Sequence, residues 1–413
     1  MTLELALPTS KSMTQRALVL AALAHEPSTL LGPLECDDAR HLRRLLEAFG
    51  ATFQMHEDGT RLDVTPAAVP LRAPAQAIAC GNAGTAIRFG AALSLLADGP
   101  IVLDGDEHMR TRPIGPLADA LRLLGVEAEF LRSPRCPPLR LERTAAAPAK
   151  VTVDTTVSSQ FASALLLVAP RLPEGLELEL AGSMVSRPYL AMTVAMLQNA
   201  RVNVAWREPR VIRVYPGAIA GTTTTIEVDW SAAAFVLAAA AITGADIAPK
   251  GLVPPEASTQ GDAAIVGILE QLDTAAENTV CLHNCPDLLA PVTVAALFAR
   301  KPTRIRGAAH ARVKECDRIA VLAREFGKVG AALVEHPDGL DVEPLSGTTT
   351  TTAGSPVWLD PSDDHRMAMA FGVASLRLPS IAVRNEGCVS KSFPNFWESL
   401  ARIREHLSPV TRP

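Results

Sequence analysis

A chain of 413 residues exceeds what one ordinary hydrophobic core supports, so two domains are expected. Its residues are 48% hydrophobic and 20% charged, the balance of a packed globular protein rather than a disordered one. A net charge of -5 with 4% aromatic residues excludes a nucleic-acid module built on bulk basicity and base stacking, so any anion site must come from local clusters of Lys and Arg.

Two kinds of helix alternate along the chain. One is amphipathic and ends on a small or turn-forming residue. Leu42, Leu45, Leu46 and Phe49 precede Gly50; Leu117, Leu121 and Leu124 precede Gly125. Leu190, Val194 and Leu197 lead to Asn199, and Ile265, Ile268, Leu269 and Leu272 lead to Asp273. Such spacing predicts a half-exposed helix with a C-terminal cap, and it recurs about every 75 residues. The other kind is Ala-rich, apolar on every face, and starts near Ser12, Thr85, Ser159, Ser231, Asp287 and Asp364. These helices are expected to be buried all round, with their Ser, Thr or Asp entrance residues capping the exposed N–H groups. Short β-like runs at Arg61–Val64, Ile101–Leu103, Val151–Val153 and Val211–Val214 lie between the helices, while the Thr runs at 222–225 and 348–352 read as surface turns. The expected fold is α/β: six copies of one unit, three per domain, whose buried helix N-termini would favour small anions if they converge.

No uncharged apolar stretch reaches the length of a membrane span; Thr155 to Pro170 and Trp230 to Ala245 come closest and end at Arg171 and Asp246. The N-terminus lacks the basic-then-apolar pattern of a secretory leader, so a cytoplasmic protein is expected. Seven scattered cysteines read as reduced thiols. Cys281, His283 and Cys285 form a short donor group, but no second ligand pair follows and no metal is expected.

Charged and hydroxyl residues gather at the helix entrances. Ser10-Lys11-Ser12 with Arg16 one turn inside offers ammonium, hydroxyl, N–H and guanidinium to a phosphate or carboxylate; a capped helix with solvated cations is the plain alternative. Gly81-Asn82-Ala83-Gly84 opens a helix where Gly84 lets a ligand approach the backbone, or is simply a turn. Arg112, Ser158-Ser159-Gln160 and Ser186-Arg187 add hydroxyls and cations that ordinary capping also explains. The acids come later. Asp287 opens an apolar helix, and Arg312-Val313-Lys314-Glu315-Cys316-Asp317-Arg318 is a dense charge run. Asp363-Asp364-His365-Arg366 enters a wholly apolar helix, and Lys391 precedes the last one. Their shared phase with the repeat is not what scattered surface charge produces.

Taken in order, SKSxxxR, GNAGTAxR, RPIG, SSQF, RVKExDR, DHRMAM and SKSFP resemble the enolpyruvyl transferase family, in particular its branch acting on shikimate 3-phosphate. The likeness runs from about Pro8 to about Arg404. It implies a two-domain inside-out αβ barrel of six βαβαββ units, three per domain. It also implies a discontinuous domain, 1–8 plus 229–413, a continuous one, 9–228, and an active site in the cleft between them. By motif, Lys11, Ser12, Arg16, Ser158, Ser159, Gln160, Ser186, Asp287, His310 and Lys314 would hold shikimate 3-phosphate. Lys11, Gly84, Arg112, Gln160, Arg318, Arg366 and Lys391 would hold phosphoenolpyruvate. Asp287 would serve the attacking 5-hydroxyl as base, Glu315 would serve C3 as acid, and Lys11 would assist at the reacting centre. No cofactor, metal, nucleic-acid or membrane partner is implied, and a monomer is expected.

Four positions depart from the pattern. His310 stands where Asn is usual, which would make its contact pH-sensitive. Phe89 stands where Pro commonly follows Arg88, Arg187 replaces a common Lys, and Val228-Asp229-Trp230-Ser231 differs from the usual crossover. The family's other branch, acting on UDP-N-acetylglucosamine, commonly carries a reactive Cys in the loop before its RP pair; Asp104 to Thr111 contains none. A relative that binds without catalysis would not need both Asp287 and Glu315.

Overall fold

The computed structural model describes residues 2–274, 278–345 and 355–407. The chain divides into two compact units, one of residues 9–227 and one joining residues 1–8 to 228–413.

The first unit holds α1 (Lys11–Leu23), α2 (Asp37–Ala48), α3 (Gly84–Leu93), α4 (Gly115–Leu123), α5 (Gln160–Val168) and α6 (Arg187–Asn199). The second holds α7 (Trp230–Thr243), α8 (Ile265–Thr274), α9 (Leu289–Leu297), α10 (Arg318–Gly327), α11 (His365–Ala374) and α12 (Phe396–Leu407). All six apolar segments are helices beginning within two residues of their expected starts. In the first unit α1, α3 and α5 pack pairwise against one another, as α7, α9 and α11 do in the second. Their Ala-rich faces permit this close approach and bury almost every side chain. At α7 the causes are complete: Asp229 accepts from the Ala232 N–H at the entrance, and Gly244, at a left-handed φ of 70°, closes the last turn onto the Ala240 carbonyl.

The first unit has three four-stranded sheets of one pattern. In each, two parallel strands flank a buried helix, and an amphipathic helix then leads to an antiparallel hairpin whose second strand inserts beside them. Lys150–Asp154 thus pairs with Leu176–Ala181, which pairs with Val211–Val214, which pairs with Val204–Glu208. The second sheet orders Ile78–Ala79, Ile101–Asp104, Leu139–Arg143 and Val126–Phe130. In the third, Thr223–Thr225 supplies the strand beside Ser28–Leu31, followed by Arg61–Thr65 and Thr52–Met55. That Thr run is therefore a strand and not the expected turn, because β-branched side chains suit a pleated edge whatever their polarity. The run at 348–352 lies outside the described residues.

The second unit has one sheet of the same pattern, Asn278–Cys281, Thr303–Arg306, Gly339–Val342 and Leu333–His336. Among the described residues, two further parallel pairs, Leu3–Ala6 with Ile247–Lys250 and Val357–Leu359 with Ile381–Val383, carry no hairpin. The described strands thus form four four-stranded sheets and two two-stranded ones. No helix among the described residues is long and apolar enough to cross a membrane.

Candidate active site

The expected site residues fall into two sets, one in each unit. In the first unit, Lys11 starts α1 and its Nζ donates to Asp38 at 3.0 Å, from the first turn of α2. Arg16 lies deeper and is spent internally: Nε donates to Thr193, Nη1 to the Ser12 carbonyl, and Nη2 to Ser163 and the Tyr189 carbonyl. Phe89 and Tyr189 lie against its guanidinium at 5.7 and 5.9 Å. Burial lowers its pKa to about 10, so it stays a cation near neutral pH. Three of these bonds tie α1 to α5 and α6, and the fourth is internal to α1. Phe89, a departure at the sequence level, is part of that anchor.

Gly84 begins α3 in contact with the Arg112 guanidinium, whose Nη1 donates to the Asn82 carbonyl and side chain at 3.3 and 3.1 Å. Ser158 and Ser159 are buried at the start of α5, and Ser158 Oγ accepts the Gln160 N–H at 3.2 Å. Gln160 Oε1 accepts from Arg88 at 2.5 Å. Ser186 precedes α6 with φ 57°, a left-handed conformation rare for serine and a mark of local constraint.

The expected caps differ between units. Ser10, Ser159 and Ser186 make no side-chain cap bond, and α3 is preceded by Ala83, with Thr85 inside the helix. Asp229, Asp317 and Asp364 do cap α7, α10 and α11. Asp287 does not cap α9; it sits in the single turn Pro286–Leu288 ahead of it. Hydroxyls that leave N–H groups uncapped are suited to an anionic ligand.

In the second unit one guanidinium organises the charges. Arg318, 2% exposed, donates to Asp364 at 2.7 Å, Asp287 at 2.8 Å and Glu315 at 2.9 Å. Arg366 donates to the other Asp287 oxygen at 2.9 Å, and Lys391 lies 3.2 Å from the other Glu315 oxygen. Burial pushes the Asp287 carboxyl up, but Arg366, Arg318 and Lys314 outweigh it and hold Asp287 well below the usual carboxylate range. The same three acids raise Arg318 well above its ordinary value against the opposing effect of burial.

Lys314 follows the short helix Ala309–Val313, which also carries His310. Burial first, then the Lys314 charge, lowers His310 to about 3, so the imidazole stays neutral around physiological pH and its pH sensitivity is displaced to acid. An unfolded chain protonates this residue near 6.5, whereas the folded chain waits until about 3, so folding loses stability as pH falls through that window. His310→Asn should therefore flatten the fall of the thermal midpoint across that acid range and leave its behaviour above about pH 7 unchanged. An equal acid slope in both proteins would show that His310 does not titrate in this way.

The sequence reading missed Asp38, Arg88 and Asp364, the partners that fix Lys11, Gln160 and Arg318. Arg88 and Asp364 were legible as members of charged motifs. Asp38 had only its place in an acidic first turn to mark it.

A mixed α/β protein with buried cations set beside hydroxyls and carboxylates at its helix entrances has the chemistry of an enzyme for small anionic substrates. The sequence model of the family described as EPSP synthase (3-phosphoshikimate 1-carboxyvinyltransferase) matches residues 1–400. The chain belongs to that family. It is similar to the 3-phosphoshikimate 1-carboxyvinyltransferase of Syntrophobacter fumaroxidans, 37% identical over 418 residues with 97% of each chain covered. The protein of that name from Serratia proteamaculans is 36% identical over 97% of this chain and 95% of its own. Among solved structures, EPSP synthase from Acinetobacter baumannii has a TM-score of 0.75 at 24% identity, covering 97% of this chain and 95% of that one, a likeness of fold.

Proposed function

We propose that the protein transfers the enolpyruvyl group of phosphoenolpyruvate to the 5-hydroxyl of shikimate 3-phosphate, releasing phosphate. The observation that carries the chemistry is Arg318, which binds Asp287 and Glu315 through one planar group. Two carboxylates held apart on a common cation can take opposite proton roles.

Glu315 delivers a proton to C3 of phosphoenolpyruvate as the shikimate 5-oxygen bonds to C2, and Asp287 receives the hydroxyl proton. The tetrahedral adduct then loses phosphate while Glu315 takes a proton back from C3, giving the enol ether, and the proton held by Asp287 goes to the departing phosphate. Asp287 is a weak base, but it needs little strength. Protonation at C3 makes C2 cationic, and an oxygen adding to such a centre becomes strongly acidic. The substrate carboxylate and phosphate draw on Arg366, Lys391 and Arg112, which eases proton uptake by Glu315. Lys11, Ser12, Ser158, Ser159, Gln160, Ser186 and Lys314 hold the acceptor and its phosphate in this reading, with His310 a neutral hydrogen-bonding partner. The family's arrangement of six βαβαββ units around an active-site cleft is part of the same proposal, supported by the repeated sheet pattern.

Phosphoenolpyruvate mixed with shikimate 3-phosphate, followed by phosphorus NMR, tests the reading, with UDP-N-acetylglucosamine as the parallel acceptor. Phosphate release in the shikimate tube alone is the expected result. Release only with the nucleotide sugar, or in neither tube, would reject it.

A second expectation concerns Gly84. A Cβ placed there would lie 2.7 Å from Arg112 Nη2 and 2.9 Å from Cζ. The guanidinium can swing away, so Gly84→Ala should displace a phosphoenolpyruvate ligand without breaking the fold. KM for phosphoenolpyruvate should rise about tenfold or more, with stability changed by less than about 1 kcal/mol. An unchanged KM would separate Gly84 and Arg112 from that substrate.

A further inference from the structure

Asp262 has no part in the reaction just described, yet it is the most awkwardly placed acid of its unit. It stands in the one-turn helix Gly261–Ala264 ahead of α8 and is 2% exposed. Its Oδ2 accepts the hydroxyl hydrogen of Ser231, in the first turn of α7, while Oδ1 has no hydrogen-bond partner among the described residues. The groups whose charge it feels come from the surrounding elements: Asp287 ahead of α9, Arg366 on α11, and Asp229 at the α7 cap. The buried Cys285 thiol is a further titratable neighbour. Two of these neighbours are acids, and the cation among them, Arg366, already donates to Asp287.

A buried carboxylate with one bare oxygen, facing another carboxylate, is unfavourable when ionised. Burial first and Asp287 second raise the Asp262 carboxyl to about 7, with Arg366 and Ser231 only partly opposing them. Asp287, held down by its cations, is ionised throughout the neutral range. Two guanidiniums donate to Asp287, whereas Asp262 has one hydroxyl donor and a bare oxygen, so a proton shared by the pair is favoured on Asp262.

We propose that Asp262 is a positioning residue that acts as a neutral acid: protonated, it leaves Arg366 to Asp287 and the substrate anion, and ionised, it competes for Arg366 and places a second negative charge behind them. The effect on substrate rests on the enolpyruvyl transfer reading; the ionisation does not. Three proteins test it: wild type, Asp262→Asn, which keeps the shape and an acceptor for Ser231 but cannot ionise, and Ser231→Ala, which removes the one donor that favours the ionised form.

The first measurement is KM for phosphoenolpyruvate against pH, taken as the ratio of wild type to D262N so that the substrate's own titration cancels. That ratio should climb about three- to tenfold between about pH 6 and about pH 8. In S231A the climb should begin at higher pH. The second measurement needs no activity. Between the unfolded value of 3.8 and the folded value of about 7 the native state holds the extra proton, so wild type loses stability from this group as pH rises through that span. The thermal midpoint of D262N minus that of wild type should grow over the span and level off above it. A midpoint difference independent of pH overturns the ionisation. A pH-dependent midpoint difference with a flat KM ratio overturns the link to Arg366. If neither acceptor turns over, the midpoint series still decides the ionisation, and direct binding of phosphoenolpyruvate across the same pH range replaces KM.

Discussion

Glu315→Gln should lower turnover by about 10²- to 10⁴-fold while changing the affinity for shikimate 3-phosphate by no more than about threefold. Glutamine keeps the size of the side chain and one acceptor oxygen but cannot release a proton to carbon. The carboxylate now gives one oxygen to Arg318 at 2.9 Å and the other to Lys391 at 3.2 Å. The amide can satisfy one of these cations and must turn its NH₂ toward the other. That mismatch should cost local order, and it falls on the phosphoenolpyruvate side of the proposed assignment, so the shikimate 3-phosphate affinity is the cleaner control. Steady-state kinetics beside equilibrium binding separates the two effects. Turnover within about tenfold of wild type would remove Glu315 from the acid role.

Arg318→Met should be the most damaging single change to the fold of the second unit. Asp287, Glu315 and Asp364 would each lose a donor now at 2.9 Å or less. Asp364 is 0% exposed and has no access to water in compensation. Removing one partner of a buried charge network costs about 3–5 kcal/mol, since the remaining charges stay desolvated. Urea unfolding at neutral pH should show that loss. The sign of its pH dependence is also fixed. In wild type the depressed Asp287 contributes stability above its unfolded value of 3.8, lost as pH falls through the still lower folded value. Without Arg318 that contribution shrinks and the stranded acids take up protons more readily, so the deficit should narrow as pH falls from about 7 toward about 5. A deficit below about 1 kcal/mol would mean that Arg366 and Lys391 suffice to hold the acids.

The sequence made the helices legible and their partners much less so. An Ala-rich segment with no polar face has one stable destination, and all six such segments are buried helices. The charged clusters at their entrances could likewise be placed, because position in a repeat survives without knowledge of contacts. Pairing could not be placed. Arg318 reaches Asp364 and Asp287 across 46 and 31 residues, and Arg88 reaches Gln160 across 72. No local pattern encodes such distances. Asp364 was visible in its motif, but nothing there distinguishes a cap from a counter-ion, and it serves as both. Arg16 shows how contacts escape a motif. Its place one turn inside α1 suggested a ligand contact, whereas Thr193, Ser163 and Tyr189 occupy most of its donors. The residue type of His310 announced a pH-sensitive group, and only its burial shows that the sensitivity is displaced to acid.

The strand Thr223–Thr225 that completes the sheet begun by Ser28–Leu31 also dictates an order of assembly during synthesis. Leu3–Ala6 leaves the ribosome ahead of residues 9–227 but pairs with Ile247–Lys250, so it must wait for a partner made about 240 residues later. The unit of residues 9–227 builds its three sheets from its own strands, and its two ends are joined by the Ser10 N–H donating to the Glu227 carbonyl at 2.7 Å. Translation thus delivers a finished insert before its host has begun to close. A strand made ahead of the insert finds its place only after it.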